Sequence, residues 1–237
     1  MEYKLSIVGT PIGNLDDITL RALNTLKEAD IILCEDTRVS QKLLKHYDIT
    51  DKKIISYHNF NEKAISPKII TLIKQKNKKV ALISDAGMPC ISDPGFEIIY
   101  LAKQNGIFVD VIGGPTALIH ALIKANFANT FTFLGFLKDK SGARQNQLKE
   151  LIYGTYVCYV SPHKLISTIE DFKIIFDNNV KLFLIKEMTK IHEMSYEGTP
   201  QEILESLNND NNIKGEFSLV FSILKPKIGK VNKYAKK

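Results

Sequence analysis

The chain has 237 residues, 44% of them hydrophobic, and a formal net charge of +6, enough apolar material for one large domain or two smaller ones. No apolar run approaches the roughly 20 residues that cross a bilayer, and the start Met1-Glu2-Tyr3-Lys4-Leu5 lacks the basic and long apolar stretches of a signal peptide, so a cytoplasmic location is the default. Cys34, Cys90 and Cys158 are odd in number and scattered, with no C-x-x-C pair, which argues against a disulfide framework or a cysteine zinc site and for three small buried residues.

Apolar runs at 5–8, 31–33, 54–57, 80–83, 109–112 and 131–134 alternate with helical patterns, which predicts a parallel sheet covered by helices. Gly9-Thr10-Pro11-Ile12-Gly13-Asn14 follows the first strand, where glycine lets backbone approach a ligand and Pro11 fixes the turn. Ile18, Ala22, Leu26 and Ala29 then keep helical spacing behind the acidic start Asp16-Asp17, as do Ile69, Leu72 and Ile73 further on. The stretch from Ser84 to Gly95 follows the fourth strand with small, acidic and turn-forming residues. Asp85 is expected at the strand tip, and Asp93-Pro94 reads as an N-cap and first turn of a helix through about Gln104. Gly113-Gly114-Pro115-Thr116 repeats the arrangement ahead of a helix from Ala117 to Ala125. Parallel strands place their C-terminal loops on one side, so Pro11, Asp85 and Thr116 are expected to converge on one ligand.

The polar stretch Lys138-Asp139-Lys140-Ser141-Gly142 marks a boundary between an N-terminal α/β domain, 1–137, and a C-terminal α/β domain, 138–224, followed by a basic tail, 225–237. Beyond it, strands are predicted at 156–160, 182–185, 194–197 and 217–224, the middle two spaced for an antiparallel hairpin, so this sheet is expected to be of mixed direction. Ser161-Pro162 reads as the start of a helix to about Phe172, and Thr199-Pro200-Gln201-Glu202 is a capping box. The tail holds six lysines and no acid, which suits a polyanion or a frayed terminus equally. Arginine is confined to Arg21, Arg38 and Arg144 among 32 basic residues, and so scarce a residue suits bidentate contacts with carboxylate or phosphate.

Common nucleotide and hydrolase signatures are missing. The first glycine loop is not G-x-G-x-x-G, and neither a P-loop nor a G-x-S-x-G elbow occurs. His192-Glu193 has no second histidine at helical spacing, so no metal is predicted, and no RNP, zinc-knuckle or KH signature is present. His163, in the first turn after Ser161-Pro162, faces either a cleft or solvent, and a local structural role is the favoured one.

Several segments together resemble a known family: Gly9 to Leu15 with Asp17-Ile18-Thr19, Glu35-Asp36-Thr37-Arg38, Ser84 to Gly95, Ser161-Pro162-His163, and Glu187-Met188-Thr189-Lys190 with His192-Glu193. In order and spacing, over about residues 3 to 224, they are similar to the ribosomal RNA small subunit methyltransferase I family of the tetrapyrrole methylase superfamily. The resemblance implies two α/β domains that enclose S-adenosylmethionine between them, usually in a homodimer, and 2′-O-methylation of a cytidine ribose in the decoding region of 16S ribosomal RNA, on the small subunit. The chain departs from the family at Gly113-Gly114-Pro115-Thr116, usually Pro-Gly-Pro-Ser, at Val160, usually Glu, and at Lys164, usually Arg.

Under that resemblance Pro11, Asp85, Met88, Ile91, Thr116 and Ala117 line the cofactor by loop position as well, and Tyr159 and Met188 by the resemblance alone. A ribose hydroxyl needs its proton taken, and the candidates for that work are Glu35, Asp36 and Arg38 after the second strand, with Lys186 and Glu187 in the second domain. Each has structural ion pairing as its alternative, and Arg38 either binds phosphate or holds Asp36. Lys138, Lys140 and Arg144 form either a phosphate track or a solvated linker. Two other functions remain open: methylation of a porphyrin or corrin on the same fold, and ribosome binding without catalysis.

Overall fold

The computed structural model describes residues 4–210 and 213–225, which form two compact units. The first takes 4–120 with 188–191, and the second takes 121–187 with 192–225. All of the predicted tail after Lys225 lies outside the described residues.

In the first unit the strands β1 (Lys4–Val8), β2 (Ile31–Cys34), β3 (Lys53–Ser56), β4 (Val80–Leu82) and β5 (Phe108–Ile112) alternate with the helices α1 (Leu20–Glu28), α2 (Thr37–His46), α3 (Glu62–Lys76) and α4 (Phe96–Gln104). The strands pair in parallel in the order β3-β2-β4-β1-β5. Successive side chains of a strand point to opposite faces. Leu5, Ile7, Leu33 and Leu82 therefore meet Ile69 and Ile73 of α3 and Ile98 of α4, while Val8, Ile32, Cys34 and Ala81 meet Ala22 and Leu26 of α1 and Leu44 of α2. Burial on both faces is why these strands read as unbroken apolar runs. It also means that the chain leaves the adjacent strands β1 and β4 toward opposite faces, which opens a crevice at their C-terminal ends.

Helix α5 (Ala117–Ala125) carries the chain into the second unit, where β6 (Thr132–Phe136), β7 (Gly154–Val160), β8 (Val180–Lys186), β9 (Met194–Gly198) and β10 (Phe217–Ile223) are joined by α6 (Ser141–Lys149), α7 (Leu165–Phe176) and α8 (Pro200–Asp210). The sheet order is β6-β7-β10-β8-β9, with β6 parallel to β7 and the other pairs antiparallel. Phe221 anchors its core, stacked on Tyr156 and edge-on to Phe172 of α7. Val160, at the position where the family usually has Glu, is buried in the same cluster.

Several expectations shift. The apolar run 131–134 belongs to the second sheet as β6, so the first sheet has five strands and the chain changes unit within α5, ahead of the polar stretch 138–142. Helix α4 starts at Phe96 behind Gly95, whose φ of 138° only glycine adopts readily, and Asp93 and Pro94 stay outside it. Asp16 and Asp17 sit in a separate 3₁₀ turn, and α1 is capped by Thr19, whose hydroxyl accepts the Ala22 N–H at 3.1 Å. Ser161-Pro162 likewise opens a 3₁₀ turn, with α7 beginning at Leu165. The capping box of α8 is formed as predicted, the Glu202 carboxylate accepting the Thr199 N–H at 2.7 Å. The β8–β9 hairpin also stands where its spacing placed it. Cys34 and Cys158 are buried and Cys90 partly so, all as free thiols. Among the described residues, no helix is long and apolar enough to cross a membrane.

Each arginine meets an aspartate. Arg21 donates from Nη2 to both oxygens of Asp110 at 2.6 and 2.7 Å, and Arg38 closes on Asp36. Arg144 is 1% exposed and its guanidinium is fully engaged: Asp171 accepts from Nε at 2.7 Å, and the carbonyls of Lys138 and Asp139 accept from Nη1 at 3.1 Å each. Ser141 and Gln145 donate to the other oxygen of Asp171. Arg144 therefore does not belong to a phosphate track, because it is buried and has no donor to spare; it pins the stretch that follows β6. Replacing Asp171 by Ala strands a buried cation, and the loss of stability should be about 3–5 kcal/mol, read from the urea midpoint of the full chain. Joint replacement of Arg144 and Asp171 by Met and Leu should restore most of it.

Candidate active site

The three glycine-bearing loops meet. After β1, Thr10 and Gly87 exchange backbone hydrogen bonds at 2.9 and 3.1 Å, tying the first loop to the one after β4, and the Thr10 hydroxyl donates to the Ser84 carbonyl at 3.3 Å. The Gly9 N–H donates to the Ile112 carbonyl at 3.0 Å, and Gly9 and Gly114 pass so closely that a Cβ on Gly114 would stand 2.9 Å from Gly9 Cα. A Cβ on Gly9 would stand 2.6 Å from Sδ of Met88. Glycine is needed at both positions because backbone meets backbone there.

Of the residues expected to line a cofactor, Pro11 is buried in the first loop, Asp85 is exposed beyond β4, Met88 lies against Gly9, and Ile91 is exposed on the same loop. The Thr116 hydroxyl accepts the Ile119 N–H at 3.3 Å, so it caps α5 and leaves Ala117 in the first turn. Met188 is buried, and its segment 188–191 belongs to this unit: Asn14 donates its N–H to Oγ1 of Thr189 at 3.0 Å. Positive φ values at Cys90, Ser92, Glu187 and Thr189 concentrate backbone strain in the two segments that meet the first loop.

Carboxylates crowd the ends of β2 and β4. The Asp36 N–H donates to Oδ1 of Asp85 at 3.1 Å, and Arg38 holds the Asp36 carboxyl down to about 2, with its side chain the larger cause and its N–H the next. Loss of hydration raises Glu35 above the usual carboxylate range, Asp85 adds to it, and His58 opposes it. Asp85 is raised by desolvation first, then by the Asp36 charge, against the pull of the Asp36 N–H. Asp93, read from the sequence as a helix cap, is instead part of this group; burial, then the charges of Glu35 and Asp85, push it up to about 6. Among the described residues, no three His, Cys, Asp or Glu side chains are grouped to hold a metal ion.

His58 was not singled out by its sequence, although it directly follows a strand at this same sheet edge. Asn61 accepts the His58 N–H at Oδ1 (2.9 Å) and donates from Nδ2 to the Ser56 carbonyl (3.1 Å), which fixes its amide. The same Nδ2 lies 3.1 Å from Nε2 of His58, so in the neutral ring Nε2 is the acceptor and Nδ1 the donor. That Nδ1 is buried without a partner among the described residues.

Tyr159, Lys186 and Glu187 lie in the second unit. Tyr159 is near the end of β7, Lys186 ends β8 at 4% exposure, and the Glu187 carboxylate accepts the Glu216 N–H at 2.9 Å. His163 is exposed.

The sequence profile of the tetrapyrrole (corrin/porphyrin) methylases matches residues 4–204. The chain is 53% identical over 221 residues to the ribosomal RNA small subunit methyltransferase I of Mycoplasmopsis pulmonis, covering 93% of this chain and 98% of that protein. It is 46% identical over 238 residues to the protein of the same name from Mesomycoplasma conjunctivae, covering 99% and 97%. Among solved structures it shares its fold with uroporphyrin-III C-methyl transferase from Thermus thermophilus complexed with S-adenyl homocysteine, at a TM-score of 0.62 and 16% identity over 92% of this chain and 97% of that one.

Two outcomes follow from the geometry. Gly114→Ala should cost about 1–3 kcal/mol by forcing the loops apart, whereas Gly113→Ala, with nothing within 4 Å of its added Cβ, should stay within about 0.5 kcal/mol of the parent in chemical denaturation. Asp93 releases its proton near 6 in the folded chain and near 3.9 when unfolded. Folding therefore retains a proton across that window, and stability falls as pH rises through it. Asp93→Asn should raise the melting temperature near neutral pH, with the gain vanishing below about pH 4.

Proposed function

Because the chain belongs to the ribosomal RNA small subunit methyltransferase I family, within the tetrapyrrole methylases, it is an S-adenosylmethionine-dependent ribosomal RNA methyltransferase, and we propose that its target is the 2′ oxygen of a cytidine ribose in the decoding region of 16S ribosomal RNA, reached on the small subunit. The observation that carries a single methyl-donor site is the union of the loops after β1, β4 and β5 through Thr10, Gly87, Gly9 and Gly114. On the same reading the enzyme acts in the cytoplasm as a homodimer.

S-adenosylmethionine supplies a methyl group already made electrophilic by its sulfonium, so the protein has mainly to bind and align. Pro11, Met88, Ile91 and Met188 offer it apolar and polarisable surface. Asp85 offers a carboxylate acceptor for hydroxyl or amino protons, and the first turn of α5, at Thr116 and Ala117, offers backbone N–H groups to a carboxylate. The carboxylates around Asp85 have one guanidinium among them, so their uncompensated charge favours a cationic donor.

Glu35 is the best of the candidate bases. Its carboxyl sits above the usual range, which brings it closer to the ribose hydroxyl as a proton acceptor, whereas Asp36 is held by Arg38 and is a weak one. Asp36 and Arg38 then order the start of α2, where the Asp36 carboxylate accepts the Arg38 N–H at 2.8 Å. Glu187 secures the backbone at Glu216, and Lys186, buried at the end of β8, is kept as the neighbouring candidate of the second unit.

The test is transfer from methyl-labelled S-adenosylmethionine to small subunits that lack this methylation, beside free 16S RNA and uroporphyrinogen. Label on a cytidine ribose is expected, and Glu35→Gln should lower kcat by about 10²–10⁴-fold with little change in KM. Label on a base or on the tetrapyrrole would overturn the assignment.

A further inference from the structure

Strands β6 and β7 are the parallel pair of the second sheet, so the loops leaving their C-terminal ends, 137–140 and 161–164, lie side by side. A pocket opens there, lined by Phe136, Lys138, Tyr159, Ser161 and Lys164 among others. The path of β6 is unusual at this end. Phe133 is opposite Val157 and Phe136 opposite Tyr159, so three steps along β6 match two along β7, with Gly135 at φ 65° absorbing the extra residue.

In a regular strand, side chains three apart point to opposite faces. The bulge brings Phe133 and Phe136 to the same aromatic neighbour, their ring centroids 5.1 and 5.6 Å from that of Tyr159. Phe136 nonetheless remains 59% exposed. An aromatic ring held by its neighbours while its outer face meets water is poorly explained by core packing and well suited to a flat partner.

The rim is basic. Lys138, Lys140, His163 and Lys164 are exposed on the two loops, with Asp139 as the acid among them. Arg144 fixes the Lys138 and Asp139 carbonyls from beneath, and Gln147 accepts the Lys138 N–H at 3.0 Å, so the lysines project from an ordered backbone.

We propose, on the basis of the RNA methyltransferase reading above, that this mouth holds one nucleotide of the substrate RNA strand, with its base stacked on Phe136 and its phosphate between Lys138 and Lys164. Stacking on an aromatic ring tolerates any base, so the site anchors the strand and leaves selection of the acceptor ribose to its surroundings.

The full-length protein would be titrated with a short single-stranded RNA over a salt series, with S-adenosylmethionine affinity measured separately by calorimetry and methyl transfer assayed on small subunits. Phe136→Ala should weaken RNA binding about ten- to a hundredfold and raise KM for the subunit comparably, with cofactor affinity unchanged; Phe136→Tyr, which keeps the ring, should bind like the parent. Lys138→Ala with Lys164→Ala should lower the slope of log K against log salt by about two. The site is refuted if Phe136→Ala, with a parental urea midpoint, binds RNA normally, or if cofactor affinity falls in step, which would give the pocket to the methyl donor. A parent protein that transfers no methyl group to RNA would instead sink the RNA reading, and this site with it.

Discussion

The Thr10–Gly87 bridge is the contact on which the first unit's chemistry depends. Two backbone hydrogen bonds join loops that leave neighbouring strands toward opposite faces of the sheet. Without them the crevice between β1 and β4 would be bounded by independently mobile segments. With them, Gly9 can run against Gly114, Met88 can close over Gly9, and Asp85 can accept from the backbone of the β2 loop. The sheet supplies parallel strand ends, and the bridge converts them into one rigid rim.

On that rim the acids behave unequally because their neighbours differ. Asp36 is neutralised by Arg38, whereas Glu35, Asp85 and Asp93 repel one another in a partly dehydrated setting. Such an arrangement opposes folding near neutral pH and persists only if the surrounding packing outweighs it. Enzymes commonly hold groups this way where a proton must move.

Features set by near neighbours in the chain were legible from the residues. The alternation of apolar runs located the strands, the Thr199–Glu202 box located α8, and the short spacing of β8 and β9 gave their hairpin. Convergence of the loops at Pro11, Asp85 and Thr116 was also foreseeable, since parallel strands allow no other arrangement of their exits. What escaped depends on distant partners. The 131–134 run looks like the strands before it, and only pairing with β7 assigns it to the second sheet. Arg144 sits among lysines in sequence, yet Asp171, far along the chain, draws it inside. His58 gave no motif, because its significance lies in a ring nitrogen left without a partner among the described residues once Asn61 has taken the other.

The short segment 188–191 lies between β8 and β9 of the second unit yet folds with the first, where Thr189 receives the Asn14 N–H. A hairpin connection has thus been lent to a foreign scaffold. No single cut of the polypeptide can release either half intact, and gene fission or shuffling at the domain level would deprive the first loop of its support. The two-unit architecture is therefore inherited as a whole, like a knot that must be copied with both of its ends.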